Sequence, residues 1–128
     1  MNSVEAQRPL YEIKANLFKG LAHPLRIRVL EILAGDDEVP VTRMLEETGL
    51  EASHLSQHLA VLRRYGLVVS DRRASVVFYR LAYPQVAELL RVARALLGEL
   101  VSTTHDQLTS IDALPPIGSP TTPARSQA

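Results

Sequence analysis

The chain has 128 residues, of which 46% are hydrophobic and 22% charged, and it contains no cysteine. This length suits one domain, and the composition favours a packed core over a chain that is disordered throughout. The absence of cysteine excludes a disulfide framework, a thiolate metal site and a cysteine redox switch. No apolar stretch has the length of a membrane span and residues 1–5 do not resemble a signal peptide, so we expect a cytoplasmic protein without a membrane partner.

The formal net charge of zero conceals an uneven distribution of charge along the chain. Residues 1–51 carry six basic side chains and nine acidic ones. Residues 52–80 carry five arginines and one aspartate, which is a formal charge of +4. Because a polyanion responds to the local field and not to the average, this segment is a possible nucleic-acid contact in an otherwise neutral protein.

Hydrophobic periodicity predicts two helices at the start of the chain. Apolar residues recur at three- and four-residue steps over residues 9–21, with Pro9 in the first turn, and residues 1–8 are expected to be flexible. Pro24 begins a second helix, which ends at Gly35 in a polar loop.

The middle of the chain predicts a short edge strand followed by two helices. Residues 39–41 suit an edge strand, where a proline is tolerated, and Thr42 is the expected N-cap of the next helix. Gly49 ends that helix, and residues 52–65 form another with Leu residues at four- and three-residue steps.

The pattern then changes from helix to strand and back to helix. Two runs of β-branched and aromatic residues, 67–69 and 76–79, flank a polar turn and predict a β-hairpin. The helical period returns at Pro84 and continues through Val101. Residues 106–128 are predicted to be a disordered tail rich in Pro, Ser and Thr.

This order of elements predicts a mainly α fold with a small β-hairpin, the winged helix-turn-helix, over residues 9–105. Residues 41–62 fit the helix-turn-helix, with Gly49 in its turn, and the hairpin that follows takes the place of a wing. A helix pair with a glycine turn occurs in many folds. The wing and the basic segment together favour DNA binding.

Two sequence stretches carry a family resemblance. Residues 21–30, Leu-Ala-His-Pro-Leu-Arg-Ile-Arg-Val-Leu, resemble a signature of the ArsR/SmtB family, and residues 53–62, Ser-His-Leu-Ser-Gln-His-Leu-Ala-Val-Leu, resemble its recognition helix. Residues 78–81 resemble the end of its wing. The resemblance covers about residues 10–105 and implies a homodimeric winged-helix repressor that binds an operator and is released by a chemical signal.

The chain departs from that family at the positions that bind metal in its metal-sensing members. Residues 42–48 have no cysteine pair, and the last helix has neither the early Asp-x-His nor the late His-x-x-Glu pair. We therefore expect no metal and no cofactor, and the inducing signal is not identified. The wing turn, residues 73–75, also lacks the usual glycine.

The predicted DNA contacts lie on helix 52–65, on the wing and on the helix before them. Gln57 is placed to form paired hydrogen bonds with adenine, while Ser56 and His54 suit a base or a phosphate. His58 suits either DNA or a contact inside the domain, and the signature residues His23 and Arg26 are interpreted as structural. The full predicted set is Arg43, Ser53, His54, Ser56, Gln57, His58, Arg63, Arg64, Arg72 and Arg73.

The long apolar stripe of the last helix is wider than one small domain needs. Together with the stripe of the first helix it predicts a two-fold interface, which would place two recognition helices one DNA turn apart. The predicted interface residues are Leu10, Ile13, Leu17, Leu89, Ala93, Leu96, Leu97 and Leu100.

Three functions are compatible with these patterns. A sequence-specific, homodimeric repressor that binds double-stranded operator DNA is favoured. The alternatives are a nucleoid or architectural protein with low sequence specificity, and a winged-helix module that binds proteins. An enzyme is not expected, because the chain has no phosphate-binding loop, no nucleophile elbow and no convergent acid pair.

Overall fold

A computed structural model describes residues 3–112 of the protein, and the side chains of residues 6–107. The elements, in chain order, are α1 (Ser3–Leu21), α2 (Pro24–Ala34), β1 (Val39–Pro40), α3 (Val41–Thr48), α4 (Ala52–Arg64), β2 (Val68–Arg73), β3 (Val76–Leu81) and α5 (Pro84–Asp112). This order confirms the predicted fold class, mainly α with one antiparallel hairpin. The chain divides into two units between Arg91 and Val92.

The core of the first unit lies between α2, α3, α4 and the sheet. On α4, Leu55, Leu59 and Leu62 are 1%, 2% and 0% exposed, as their spacing predicts. Burial of one such leucine stabilises the fold by roughly 1.5–3 kcal/mol, so these three fix the orientation of α4 and turn its other face outward. The remaining core is mostly aliphatic and includes Val29, Leu30, Leu33, Val39, Met44, Val68 and Tyr79.

The sheet has three antiparallel strands in the order β1-β3-β2. Arg73 pairs with Val76, which leaves only Ala74 and Ser75 in the hairpin turn. Ala74 has a φ of 55°, a left-handed conformation that normally favours glycine. The chain therefore makes this turn without glycine, at a cost in backbone strain.

The first and last helices extend beyond the predicted ends of the domain at residues 9 and 105. Residues 3–8, predicted to be flexible, form the start of α1, with Pro9 inside the helix. Pro9 removes one backbone hydrogen bond, but α1 is exposed at this point, so water can satisfy the carbonyl that is left free. Residues 106–112 of the predicted tail are also helical, because the helix-breaking prolines begin only at Pro115. Residues 113–128 of that tail lie outside the described residues.

The helix-turn-helix begins and turns at positions set by backbone geometry. The predicted N-cap at Thr42 is wrong, because α3 begins at Val41 and its N-cap is the extended Pro40 at the end of β1. Gly49 ends α3 with a φ of 68°, in the left-handed conformation predicted for a glycine C-cap. The predicted edge strand is confirmed as β1.

Each unit exposes an apolar helix face. In the first unit, Leu10, Ile13 and Leu17 of α1 are 61%, 65% and 37% exposed. In the second unit, the exposed side chains are Ala93, Leu96, Leu97 and Leu100. Leu89, predicted to lie in the dimer interface, is half-buried against the core of its own unit. In the part of the chain that the structure describes, no helix combines the length and the apolar character that a membrane crossing requires.

Candidate nucleic-acid interface

The outward face of α4 is polar along its N-terminal half. Ser53, His54, Ser56 and Gln57 are all exposed, because the leucines between them are turned into the core. The N-terminal half of a recognition helix is the part that meets base edges in the major groove. Four of the predicted DNA contacts therefore share one accessible face.

His58 does not belong to this face. It is half-buried, and its ring lies 4.5 Å from the ring of His23, measured between centroids. Burial, followed by the positive charges of His23, Arg26 and His54, lowers the pKa of the His58 imidazole. The contact with His23 agrees with the alternative that His58 packs inside the domain, and its contact with DNA stays a prediction.

The signature residues of 21–30 join α1 to α2, as their structural interpretation predicts. His23 is the N-cap of α2, and its Nδ1 accepts a hydrogen bond of 3.1 Å from the backbone N–H of Leu25. The guanidinium of Arg26 donates to the backbone carbonyls of Gly20 at 2.8 Å and Lys19 at 3.2 Å, at the C-terminal end of α1. Both side chains therefore satisfy helix ends.

Arg63, Arg64 and Arg72 present cationic groups near the face of α4. Arg63 and Arg64 lie exposed in its last turn, and Arg63 donates to the Oγ of Ser70 on β2 at 3.5 Å. Ser70 and Arg72 share one side of β2, because side chains alternate along a strand. Arg72 is exposed, and this alternation places it on the side of the wing that Arg63 contacts.

Comparison with known proteins agrees with this geometry. A helix-turn-helix domain model matches residues 21–71. The HTH-type transcriptional regulator Rv0081 of Mycobacterium tuberculosis is 48% identical over 94 residues, which cover 73% of this chain and 82% of the relative. Its crystal structure has a TM-score of 0.70 at 47% identity and covers 75% of this chain and 96% of that one.

Two further solved structures specify the family. The solution structure of Mb0332 from Mycobacterium bovis, described as a homodimeric winged helix-turn-helix domain and a possible ArsR-family regulator, has a TM-score of 0.66 at 29% identity and covers 73% of this chain and 85% of that one. The crystal structure of the repressor BigR from Xylella fastidiosa has a TM-score of 0.63 at 31% identity, over 75% of this chain and 96% of that one. The chain belongs to the ArsR family of transcriptional regulators. It is a DNA-binding transcriptional regulator with a winged helix-turn-helix fold.

Two predicted DNA contacts of this ArsR-family regulator, Arg43 and Arg73, form ion pairs with carboxylates of the same chain. Arg43 forms ion pairs of 2.6 Å with Asp36 and with Glu47. The hydrogen bonds to Glu47 and Asp36 raise the pKa of the Arg43 guanidinium, and the two carboxylates neutralise its charge. Arg43 is therefore a weaker candidate for DNA than its position on α3 suggests.

Arg73 is held more closely than Arg43. Its guanidinium forms an ion pair with Glu38, lies 3.6 Å from Asp71, and stacks over the ring of Phe78 at 3.9 Å from the centroid. Neither Glu38 nor Phe78 was predicted from the sequence as a partner, since Glu38 is 35 residues from Arg73. The alternation of the hairpin was the one available signal, because it places Arg73 and Phe78 on the same side of the sheet.

The side chains that the structure describes contain no group of three His, Asp or Glu residues arranged to hold a metal ion. The rings of His23 and His58 are adjacent, with centroids 4.5 Å apart. The Nδ1 of His23 is already an acceptor for the N-cap hydrogen bond, which leaves only one nitrogen of that ring available.

Proposed function

We propose that this ArsR-family regulator is a homodimeric repressor that binds operator DNA with α4 in the major groove and the β2–β3 hairpin as its wing. The observation that carries the proposal is the exposed polar N-terminal half of α4, backed by three buried leucines. A helix held in this way presents the same side chains to every duplex, which sequence-specific recognition requires.

In this proposal the contacts divide into base readers and phosphate contacts. Gln57, Ser56, His54 and Ser53 are the base readers, with Gln57 suited to adenine. Arg63 and Arg64 neutralise backbone phosphates, and Arg72 on the wing contacts the backbone or the minor groove. Arg43 and Arg73 are secondary, because both already have carboxylate partners.

The proposed dimer rests on the exposed apolar faces of each unit. Leu10, Ile13 and Leu17 of α1 form one face, and Leu96 and Leu100 of α5 belong to the other. Exposed apolar surfaces of this kind mark association sites, and the similar Mb0332 domain is described as homodimeric. A two-fold axis matches a palindromic operator.

Repression is proposed because the similar protein BigR is named as a transcriptional repressor. Its site of action would be the cytoplasm, where a bacterial operator is found.

Substitution of single polar side chains separates specificity from affinity. The operator is first selected from a pool of random duplexes with the full chain. Gln57→Ala should reduce the preference for operator over scrambled duplex by roughly 1–3 kcal/mol, with an unchanged dependence on salt. Arg72→Ala should weaken binding to both duplexes and reduce the slope of log affinity against log salt by about one.

The controls are Gln85→Ala and Arg91→Ala, which make the same chemical changes at exposed positions on α5. Both should leave preference and slope unchanged. Equal binding of the wild-type chain to all duplexes would favour the architectural alternative, and no binding to any duplex would favour a protein-interaction module. Retention of full preference by Gln57→Ala would contradict its assignment as the reader.

A further inference from the structure

The outer side of the small sheet carries a group of contacts that joins all three strands. β3 is the central strand, with β1 on one side and β2 on the other. Tyr79 of β3 is buried, so alternation places Phe78 on the opposite, outer side. Asp71 pairs directly with Phe78 across the hairpin, and Arg73 pairs with Val76.

The guanidinium of Arg73 spans this outer side. The Arg73 side chain extends from β2, and its guanidinium lies 3.9 Å from the centroid of the Phe78 ring on β3 and forms an ion pair with Glu38, the residue before β1. Asp71 lies 3.6 Å from its Nε. One side chain therefore connects the wing to the chain segment between α2 and α3.

The geometry of this contact suits arginine in particular. The planar guanidinium can stack on an aromatic ring and bind a carboxylate with its edge at the same time, whereas a lysine ammonium cannot do both. Arg73 also directly precedes Ala74, whose φ of 55° strains the hairpin turn. A contact of Arg73 with Phe78 and Glu38 therefore stabilises the hairpin next to its strained turn.

The neighbouring Arg72 is in the opposite situation. It lies on the other side of β2, where Arg63 of α4 contacts Ser70. Among the described side chains, Arg72 has no carboxylate partner, and it is exposed. Adjacent arginines of the wing thus differ in the one property that phosphate binding requires, an uncompensated charge.

We propose that Arg73 is a positioning residue that fastens the wing through Glu38 and Phe78, and that Arg72 alone of this pair contacts the phosphates of DNA. The second half of the proposal rests on the proposed function. The first half concerns the free protein and does not depend on DNA.

The fastening is tested by hydrogen exchange of the backbone amides in the full chain without DNA. Glu38→Gln and Arg73→Gln should each accelerate exchange in β2 and β3 by about threefold, the scale of one exposed ion pair. The double variant should exchange no faster than Arg73→Gln alone, because that variant already removes the partner of Glu38. Arg72→Gln is the matched control and should leave exchange unchanged. Additive effects, or no effect of Glu38→Gln, would overturn the fastening.

The division of roles is tested by salt titrations on the selected operator. Arg72→Gln should lower the slope of log affinity against log salt by about one, whereas Arg73→Gln should weaken binding by about threefold with the slope unchanged. Arg73→Lys should also weaken binding with the slope unchanged, because lysine loses the planar contact although it keeps the charge. A slope that falls by one for Arg73→Gln, or an affinity that rises for Glu38→Gln, would show that Arg73 binds phosphate.

These outcomes are distinguishable from failure of the proposed function. If the wild-type chain binds no duplex, the proposed function and the role of Arg72 both fail, while hydrogen exchange still decides whether Arg73 fastens the wing. If the wild-type chain binds and the two arginines give equal slopes, the proposed function stands and the division of roles fails.

Discussion

Arg26 gives the sharpest test of whether the signature of residues 21–30 is structural. Its Nε donates to the carbonyl of Gly20 at 2.8 Å and its Nη2 to the carbonyl of Lys19 at 3.2 Å. These carbonyls lie in the last turn of α1, where the helix no longer supplies its regular partners, and the carbonyl of Lys19 also accepts a hydrogen bond of 3.2 Å from the backbone N–H of Ala22. Substitution by methionine keeps most of the aliphatic stem and removes both donors.

The expected loss follows from the geometry of these two bonds. A hydrogen bond from a charged group to the backbone contributes roughly 1.5–3 kcal/mol when both partners are well buried. Arg26 is half-buried and its bond to Lys19 is exposed, so we expect Arg26→Met to lower the free energy of unfolding by about 2 kcal/mol in total. For a domain of this size that is a decrease in Tm of about 8–16 °C.

The assay is urea denaturation followed by circular dichroism, at one fixed protomer concentration because dimerisation would affect stability. Arg26→Lys should lose about half as much, roughly 1 kcal/mol, since one ammonium replaces a two-pronged donor. Arg28→Met is the control, because Arg28 is exposed and lies 3.9 Å from Glu47, and it should change stability by less than about 0.5 kcal/mol.

Operator binding distinguishes this structural role from a DNA contact. The folded Arg26→Met protein should retain the wild-type slope of affinity against salt. The structural role is refuted if Arg26→Met is as stable as the wild type and its slope falls by about one, because the signature arginine would then be a phosphate contact.

Three further outcomes follow from the core, the turn and the histidine pair. Burial lowers the pKa of His58, so folding favours the neutral imidazole, and the free energy of unfolding should be highest above about pH 6.5 and fall on acidification. Urea titrations from about pH 8 to about pH 5 should show this fall, and the fall should be smaller in His58→Gln. A free energy of unfolding that rises on acidification would contradict the prediction. Gly20→Ala should destabilise the fold by about 1–2 kcal/mol, because its Cβ would lie 2.8 Å from the Cγ of Tyr65; an unchanged Tm would show that the ring can move aside. Ala74→Gly should stabilise the wing by about 1 kcal/mol by relieving its positive φ, measured as slower amide exchange in the hairpin, and faster exchange would count against strain at the turn.

Local periodicity accounts for most of the fold. The leucines of α4 at positions 55, 59 and 62 are buried as their spacing predicts, and their burial decides which side chains face outward. The predicted glycine end of α3 is also confirmed, because a left-handed residue at Gly49 is a property of a few neighbouring residues. Such features depend on the chain within one or two turns, so the sequence alone reveals them.

The ends of the helices are less accurately predicted, because a single residue such as proline does not fix where a helix begins. Pro9 is a favourable first-turn residue, which predicts a helix start at that point, yet α1 continues back to Ser3. A proline removes one hydrogen bond from an exposed helix and does not prevent the turns before it. The position of Pro9 therefore predicts a start of α1 that is too late in the chain.

What the sequence determined by itself was the order of elements, the buried stripe of each helix and a local excess of arginine on α4 and the wing. Only the tertiary structure decided which of those arginines has an unpaired charge. Arg72 and Arg73 are adjacent and chemically identical, but the fold brings Glu38 to Arg73 from 35 residues away and leaves Arg72 exposed. The tertiary structure likewise places the ring of His58 against the ring of His23. Burial follows from a repeating local pattern, whereas the pairing of a charge depends on distances through space that no local pattern contains.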